Sequence, residues 1–277
     1  MLVHQQGHIL FAGEKKGKYR MIPKIIHFVW FGKNPLPDLA VHCIDSWKKY
    51  CPDYEIMEWN EQSFDISSCL YAKEAYEAKK WAFVSDYVRL KVLYEYGGVY
   101  MDTDVELVDS LDGYLSEKAF CGFESDASIQ TGIMACEKNH TLFKYLLDSY
   151  FERKFFREDG TYDQTTNVAI ITEIMLQCGV HLNNKKQTVC DITVYPTEYF
   201  CPKDEATGIT NLTENTVCIH HFDGSWHDPK ERRLSAARHF CNLHFGRFGK
   251  HALRVYKLLF FPDLVIKGYF RKLKKCD

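Results

Sequence analysis

The sequence has no run of eighteen consecutive apolar residues, so no segment has the length and hydropathy of a membrane-spanning helix. It has almost no net charge. Its 35 Lys and Arg stand against 37 Asp and Glu, and the resulting −2 gives no reason to expect nucleic acid as the main partner. It has no CxxC pair. The 11 cysteines are odd in number and scattered from Cys43 to Cys276, which argues against a disulfide framework or a zinc knuckle. Such cysteines are expected to be buried, reduced thiols in a reducing compartment. There is no internal repeat and no low-complexity linker. A hydrophobic fraction of 46% and a charged fraction of 26% over 277 residues exclude wholesale disorder and allow one large domain with appendages.

Residues 1–20 lack an apolar signal core and a cleavage site. They precede a second methionine, Met21, and are expected to form an extension outside the fold. The sequons at Asn139 and Asn211 would matter only in a secreted chain, and the expected location is cytoplasmic.

What is present reads as strands alternating with helices. Lys24–Phe31 is rich in β-branched and aromatic residues and stops at Gly32, as a buried strand does. Leu39, Cys43, Trp47 and Tyr50 recur at helical spacing, predicting a helix over Asp38–Tyr50 with Asp38 as N-cap. Tyr54–Trp59 is a second strand. Residues 71–96 read as the longest helix, apolar around most of its circumference and closed by Gly97-Gly98. Strands follow at Val99–Val108, Phe120–Phe123 and Ile129–Ala135. Helices are expected at Leu142–Phe156 and Val168–Cys178, strands at Asp191–Tyr195 and Val217–Phe222, and a helix at Pro229–His244. This order predicts an α/β domain with a parallel or mixed sheet.

The most informative run is YGGVYMDTDVEL, residues 96–107. On a strand, Tyr100, Asp102 and Asp104 share one face, while Val99, Met101, Thr103 and Val105 share the other. Two carboxylates about 7 Å apart on that face would repel without a cation, and Mn²⁺ or Mg²⁺ with oxygen ligands answers this. An isolated D-x-D is common. Here it follows a buried helix, a Gly-Gly turn and apolar strand residues, and acids at the end of an interior strand are costly unless used. Within the helix, Asp86 and Arg89 lie three residues apart in an apolar stretch. They read either as a buried ion pair or as a pair reaching sugar hydroxyls and phosphate.

The run AFVSDYVRLKVLYEYGGVYMDTDV resembles the sugar-binding D-x-D region of family 32 glycosyltransferases, a group with bacterial capsular and surface-polysaccharide enzymes and yeast mannosyltransferases. The large clostridial glucosylating toxins share a related core. IPKIIHFVWFG, ITVYPTEYFCP and IHHFDGSW are also similar to that family, so the resemblance covers residues 21–228. It implies a GT-A fold, a Rossmann-like α/β domain with a mixed central sheet, over residues 21–246. It also implies metal-dependent transfer of a hexose, with retention, from a nucleotide-sugar to a surface polysaccharide or lipid-linked oligosaccharide. A UDP-sugar is the favoured donor and GDP-mannose stays open. By resemblance Trp30 stacks on the base beside Val29, and Asp86 and Arg89 contact the donor sugar. Tyr100 and Asp102 bind donor, and Asp104 is the principal metal ligand with Asp102. His221 is the expected late metal ligand, with Ser225 and Trp226 near the diphosphate. Asp163, in GTYDQTTN, is expected either to contact donor or acceptor hydroxyls or to cap a helix. Covalent and front-face routes both remain open. The rival readings are a protein-modifying enzyme of the same fold, a non-catalytic sugar-nucleotide-binding module and a metal-dependent phosphohydrolase.

The segment 247–277 differs from the rest. Its nine basic and two acidic residues give it +7, leaving −9 for the remainder, and apolar residues are interleaved with the cations. It is expected to be a helical tail that either touches an anionic membrane at the inner face of the cell or packs on the domain with a solvated basic face.

Overall fold

A computed structural model describes residues 2–5, 8–11, 21–224 and 229–261. Two compact units divide the chain, one of residues 1–202 with 211–221 and one of residues 203–210 with 222–277. In the first unit, strands β1 (Leu2–Gln5) and β2 (His8–Phe11) pair antiparallel in a sheet of their own, within the segment read from sequence as a bare extension. Then come β3 (Ile25–Val29), α1 (Asp38–Tyr50), β4 (Glu55–Trp59), α2 (Leu70–Glu77), α3 (Trp81–Tyr96), β5 (Gly98–Met101) and β6 (Val105–Leu107). These are followed by β7 (Ala119–Ser125), β8 (Ser128–Ile129), β9 (Ile133–Cys136), α4 (Thr141–Asp148) and α5 (Asn167–Gln177). The unit is completed by β10 (Gln187–Val189), β11 (Ile192–Tyr195), α6 (Thr197–Phe200) and β12 (Cys218–His220). In the second unit, α7 (Pro229–Phe245) and α8 (Gly249–Phe260) pack on each other.

The main sheet runs β10-β11-β7-β9-β5-β3-β4, with β8 added to β7. The pairs β3–β4, β3–β5 and β11–β7 are parallel and the others antiparallel, so the sheet is mixed, as expected. Alternation along each strand feeds two cores. Tyr100, Cys121 and Met134 face the core built with α2, α3, α4 and α5. Val99, Met101, Phe120 and Ile133 face the core built with α1 and α6. Helix α3 is buried around most of its girth, from Phe83 to Leu93.

Several elements differ from the reading of the sequence, each for a local reason. Pro37, not Asp38, is the N-cap of α1, and Asp38 instead puts its charge in the first turn, where the helix dipole favours an anion. The single helix expected over 71–96 is two helices, because Lys79 takes φ 56° and breaks the chain between α2 and α3. The strand expected over 99–108 is interrupted. Val105 donates its N–H to the Asp102 carbonyl at 3.0 Å, closing a tight turn through Asp102-Thr103-Asp104. Helix α4 ends at Asp148, and residues 149–166 form a loop. None of the ten described cysteines is in a disulfide, and eight of them are buried.

The α3–β5 junction sets the start of the strand that leads to the acids. Gly97 and Gly98 have φ of 70° and 100°. Buried His27 ties this junction to the sheet, donating from Nε2 to the Gly97 carbonyl at 2.8 Å while Nδ1 accepts from the Trp59 indole at 3.1 Å. Burial pushes the His27 ring down to about 4 and keeps it neutral, against the opposing pull of the Gly97 carbonyl. A Cβ at Gly98 would stand 2.7 Å from the Ile25 carbonyl oxygen. Gly98→Ala should therefore cost about 2 kcal/mol or more, through positive φ and a backbone clash, measured as a shift of the urea midpoint at unchanged slope.

Candidate active site

Parallel pairing of β3 with β5 aligns His27 with Tyr100, so both strands deliver their C-terminal ends to one sheet edge. Val29 and Trp30 leave β3 there, and Asp102 leaves β5. Edges of this kind are where open α/β sheets place ligands. Helix α1 braces the chain beyond the acids. The buried Trp47 indole donates to the Val105 carbonyl at 2.7 Å, and Ser46 Oγ accepts from Leu107 N at 2.9 Å. Strand β6 in turn pairs antiparallel with β12, setting His220 opposite Val105.

One ligand atom each from Asp102, Asp104 and His220 lies within 4.8 Å of the others. The tight turn brings this about, since it draws together two carboxylates that an extended strand would hold apart. The structure places His220, rather than the expected His221, beside the two acids. Successive side chains alternate at the end of β12. His220 Nε2 lies 3.4 Å from Asp104 Oδ1, whereas His221 crosses to Glu106, its Nε2 2.8 Å from Oε2. The other Glu106 oxygen meets His42 Nε2 at 3.1 Å. Gly132 underlies His220: a Cβ there would be 3.0 Å from the imidazole, and its carbonyl accepts from Asp102 N at 2.8 Å. Burial works against a charged His220, yet the Asp104 carboxylate raises its proton affinity well above the ordinary imidazole value. Two carboxylates and an imidazole suit a divalent ion such as Mn²⁺.

Arg89 links this cluster to Asp86. Its Nη2 lies 3.3 Å from Asp86 Oδ1 and 3.2 Å from Asp102 Oδ1. Its Nη1 donates to the Thr131 carbonyl at 2.7 Å, and its guanidinium carbon stands 4.5 Å over the Tyr100 ring. Tyr100 donates its hydroxyl hydrogen to Asp102 Oδ1 at 2.7 Å. Asp86 Oδ2 accepts from Asn167 N at 3.2 Å, Asn167 Nδ2 donates to the Asp86 carbonyl at 2.8 Å, and Tyr150 OH donates to Asn167 Oδ1 at 2.7 Å. Burial pushes the Asp86 carboxyl up to about 6, against the pull of Arg89. The sequence motifs do not point to Asn167, Tyr150 or Gly132, whereas His220 stands beside His221 in IHHFDGSW. Asn167 closes the GTYDQTTN run and Gly132 interrupts a strand, which are the signals that mark them.

The other expected residues fall as follows. Val29 is buried at the end of β3, and its neighbour Trp30 is half-exposed, with Nε1 donating to the Asn34 carbonyl at 2.7 Å. Asp163 does not offer a free carboxylate to a sugar. Oδ2 takes Arg153 Nη2 at 2.7 Å, and Oδ1 takes Arg157 Nη2 at 3.0 Å and Thr165 Oγ1 at 2.7 Å. These partners outweigh burial and hold its carboxyl down to about 2. Nor does it cap α5, since Thr166 does that by accepting from Ala169 N. Asp163 therefore anchors the 149–166 loop. Ser225 and Trp226 lie outside the described residues.

Residues 37–121 match the family model described as a glycosyltransferase sugar-binding region containing a DXD motif, and Asp102 and Asp104 lie within the match. Among curated proteins, the chain is 32% identical over 123 residues to inositol phosphoceramide mannosyltransferase 3 of Schizosaccharomyces pombe, covering 43% of this chain and 34% of that protein. It is 27% identical over 115 residues to inositol phosphoceramide mannosyltransferase 1 of the same yeast, covering 38% and 34%. The chain thus spans about a third of the length of these relatives. Among solved structures, the PaToxG glycosyltransferase is similar at a TM-score of 0.44 and 19% identity, over 57% of this chain and 69% of that one.

Two outcomes test the geometry. In calorimetric titration with Mn²⁺, His220→Ala should weaken binding by about tenfold or more, and His221→Ala should change it much less. The Asp86 carboxyl, about 6 in the fold and near 3.9 when unfolded, is favoured in its protonated form by folding. Its contribution to stability is complete below about pH 4 and lost as pH rises through about 6. In urea titrations, wild-type stability relative to Asp86→Asn should therefore fall by on the order of 2–3 kcal/mol from about pH 4 to about pH 7.

Proposed function

We propose that the chain is a GT-A-type glycosyltransferase. It moves a hexose from a nucleotide-sugar to a glycan or lipid-linked acceptor, with a divalent cation and with retention of configuration. The observation that carries this reading is the junction of an Asp102–Asp104–His220 cluster with a buried Asp86–Arg89 pair at one sheet edge. With His220 neutral, three carboxylates and one guanidinium sum to −2, the charge that one Mn²⁺ or Mg²⁺ ion balances. A bound cation supplies counter-charge for the leaving diphosphate.

The chain's own residues do the rest by positioning and electrostatics. Trp30 offers an indole face to the base. Asp86, held by Arg89 and the Asn167 amide, presents an acceptor to a sugar hydroxyl. Tyr100 and Arg89 fix the rotamer of Asp102. For retention we favour front-face attack, with the acceptor proton passing to the leaving phosphate. Asp163 is spent on two arginines and Asp86 on Arg89 and Asn167, so neither stands ready as a covalent nucleophile. The names of the yeast relatives bring mannose forward as the sugar and a phosphorylated sphingolipid as an acceptor class. The bacterial resemblance favours a UDP-hexose and a surface glycan.

The test is nucleoside diphosphate release from a panel of UDP-sugars and GDP-mannose with Mn²⁺. One donor should be hydrolysed slowly, and Asp104→Asn should lower that rate by at least about a hundredfold. Absence of turnover together with absence of Mn²⁺-dependent nucleotide binding would overturn the assignment. Phosphate release without sugar transfer would point to a phosphohydrolase instead.

A further inference from the structure

The second unit treats its apolar residues differently from the first. Among the described residues, eight exposed large apolar side chains fall between Phe240 and Phe260, against nine in the whole of the first unit. Val255, Leu259 and Phe260 on α8 are 56%, 70% and 63% exposed, and Phe240 and Leu243 near the end of α7 are exposed as well. Exposed apolar groups this dense mark an interaction surface.

The pattern on α8 is directional. At 100° per residue, positions 252, 255, 256, 259 and 260 fall within about 140° of arc, and all are apolar or aromatic. Arg254 and Lys257 fall on the opposite side. Packing within the unit half-buries Ala252, Leu253 and Tyr256 and leaves Val255, Leu259 and Phe260 uncovered on that arc, with Leu258 exposed between it and the cations. Residues 229–261 carry eight Lys and Arg against one acid, Glu231.

We infer that α8, with the end of α7, is a docking surface that lies in the plane of an anionic lipid bilayer. Val255, Leu259 and Phe260 enter the acyl boundary, and Arg254 and Lys257 reach the headgroups. An apolar arc opposed by a cationic one is the form such helices take. The excess of cations selects anionic lipid. A second copy of the chain would bring a like-charged face against this one, which repels. Among the described residues no helix is long and apolar enough to cross a membrane, so the helix lies on the surface rather than spanning it. The inference stands apart from the catalytic reading.

The experiment is co-sedimentation of the full chain with vesicles of pure phosphatidylcholine and of a phosphatidylcholine–phosphatidylglycerol mixture. Binding should be confined to the mixture. It should fall by about tenfold or more in Leu259→Asp/Phe260→Asp and, separately, in Arg254→Glu/Lys257→Glu. Leu212→Asp, an exposed apolar position of the first unit, serves as control and should bind as wild type. Circular dichroism and an unchanged melting temperature establish that each variant is folded. Failure to bind either vesicle overturns the inference, as does equal binding of the α8 variants and wild type. Self-association that Leu259→Asp abolishes, without vesicle binding, also overturns it and identifies the face as a protein interface.

Discussion

The site depends on one buried cation. The Arg89 guanidinium is 5% exposed at its side chain, and two carboxylates, the Thr131 carbonyl and the Tyr100 ring converge on it. Burial alone would lower its proton affinity, but Asp102, Tyr100 and Asp86 together raise it above the ordinary value. Charge of this kind is retained in a low-dielectric interior only when its donors are spent, and Arg89 spends them on Asp86, Asp102, the Thr131 carbonyl and the carbonyl and hydroxyl of Ser85. Removing it would leave Asp86 and Asp102 facing each other without compensation, at a cost several times that of an ordinary core substitution. Asp102 is the only member of the Asp102–Asp104–His220 cluster that Arg89 touches among the described contacts, so Arg89 ties the cluster to α3 through that one carboxylate.

Arg89 is placed by the apolar helix that carries it. Helix α3 buries Val84, Val88 and Val92 in the same core that receives Tyr100, so the helix cannot rotate without unpacking its own stripe. On the other side of the sheet, Trp47 and Ser46 clamp β6, and β6 holds β12 in the register that delivers His220. The two cores thus fix opposite edges of the same cluster. The Asp86–Arg89 end is positioned from one layer and the Asp104–His220 end from the other.

Much of this is legible in the sequence because it rests on periodicity. The strand Ile25–Val29, the helix Asp38–Tyr50, the buried helix through Val84–Val92 and the side-switching of Val99, Tyr100 and Met101 all follow from residue spacing. What periodicity does not carry is where the chain breaks without a glycine or proline. Lys79 ends α2 at positive φ although nothing in its type announces it. The Asp102–Asp104 turn is hidden because D-T-D between Met101 and Val105 continues the alternation of a strand, while a single backbone hydrogen bond from Val105 N to Asp102 folds it. The choice between His220 and His221 depends on the register of β12 against β6, a long-range pairing that neither residue's neighbours encode. Asp163 looks like a polar loop residue until Arg153 and Arg157, ten and six residues earlier, are seen to close on it.

The partition of charge gives these parts a common logic. Residues 1–246 carry −9 and residues 247–277 carry +7, so the near-neutral total conceals two opposite fields. The site sits in the acidic portion and is itself net negative, whereas the donor proposed for it is a diphosphate. The residues alone would repel such a donor, since Arg89 is turned inward and spent. Affinity for a nucleotide-sugar then has to depend on prior neutralisation of Asp102 and Asp104. The raised proton affinity of His220 beside Asp104 reports the same unmet demand for positive charge, with a proton answering it in part. The basic segment faces the converse condition. It has few acids of its own to pair with, and among its described residues Phe248, Val255, Leu258, Leu259 and Phe260 stay exposed, so the proposed anionic apolar boundary would satisfy both at once. On the proposed readings each portion is completed by a partner of opposite charge, and this is the physical ground for treating the two as separate binding functions on one chain.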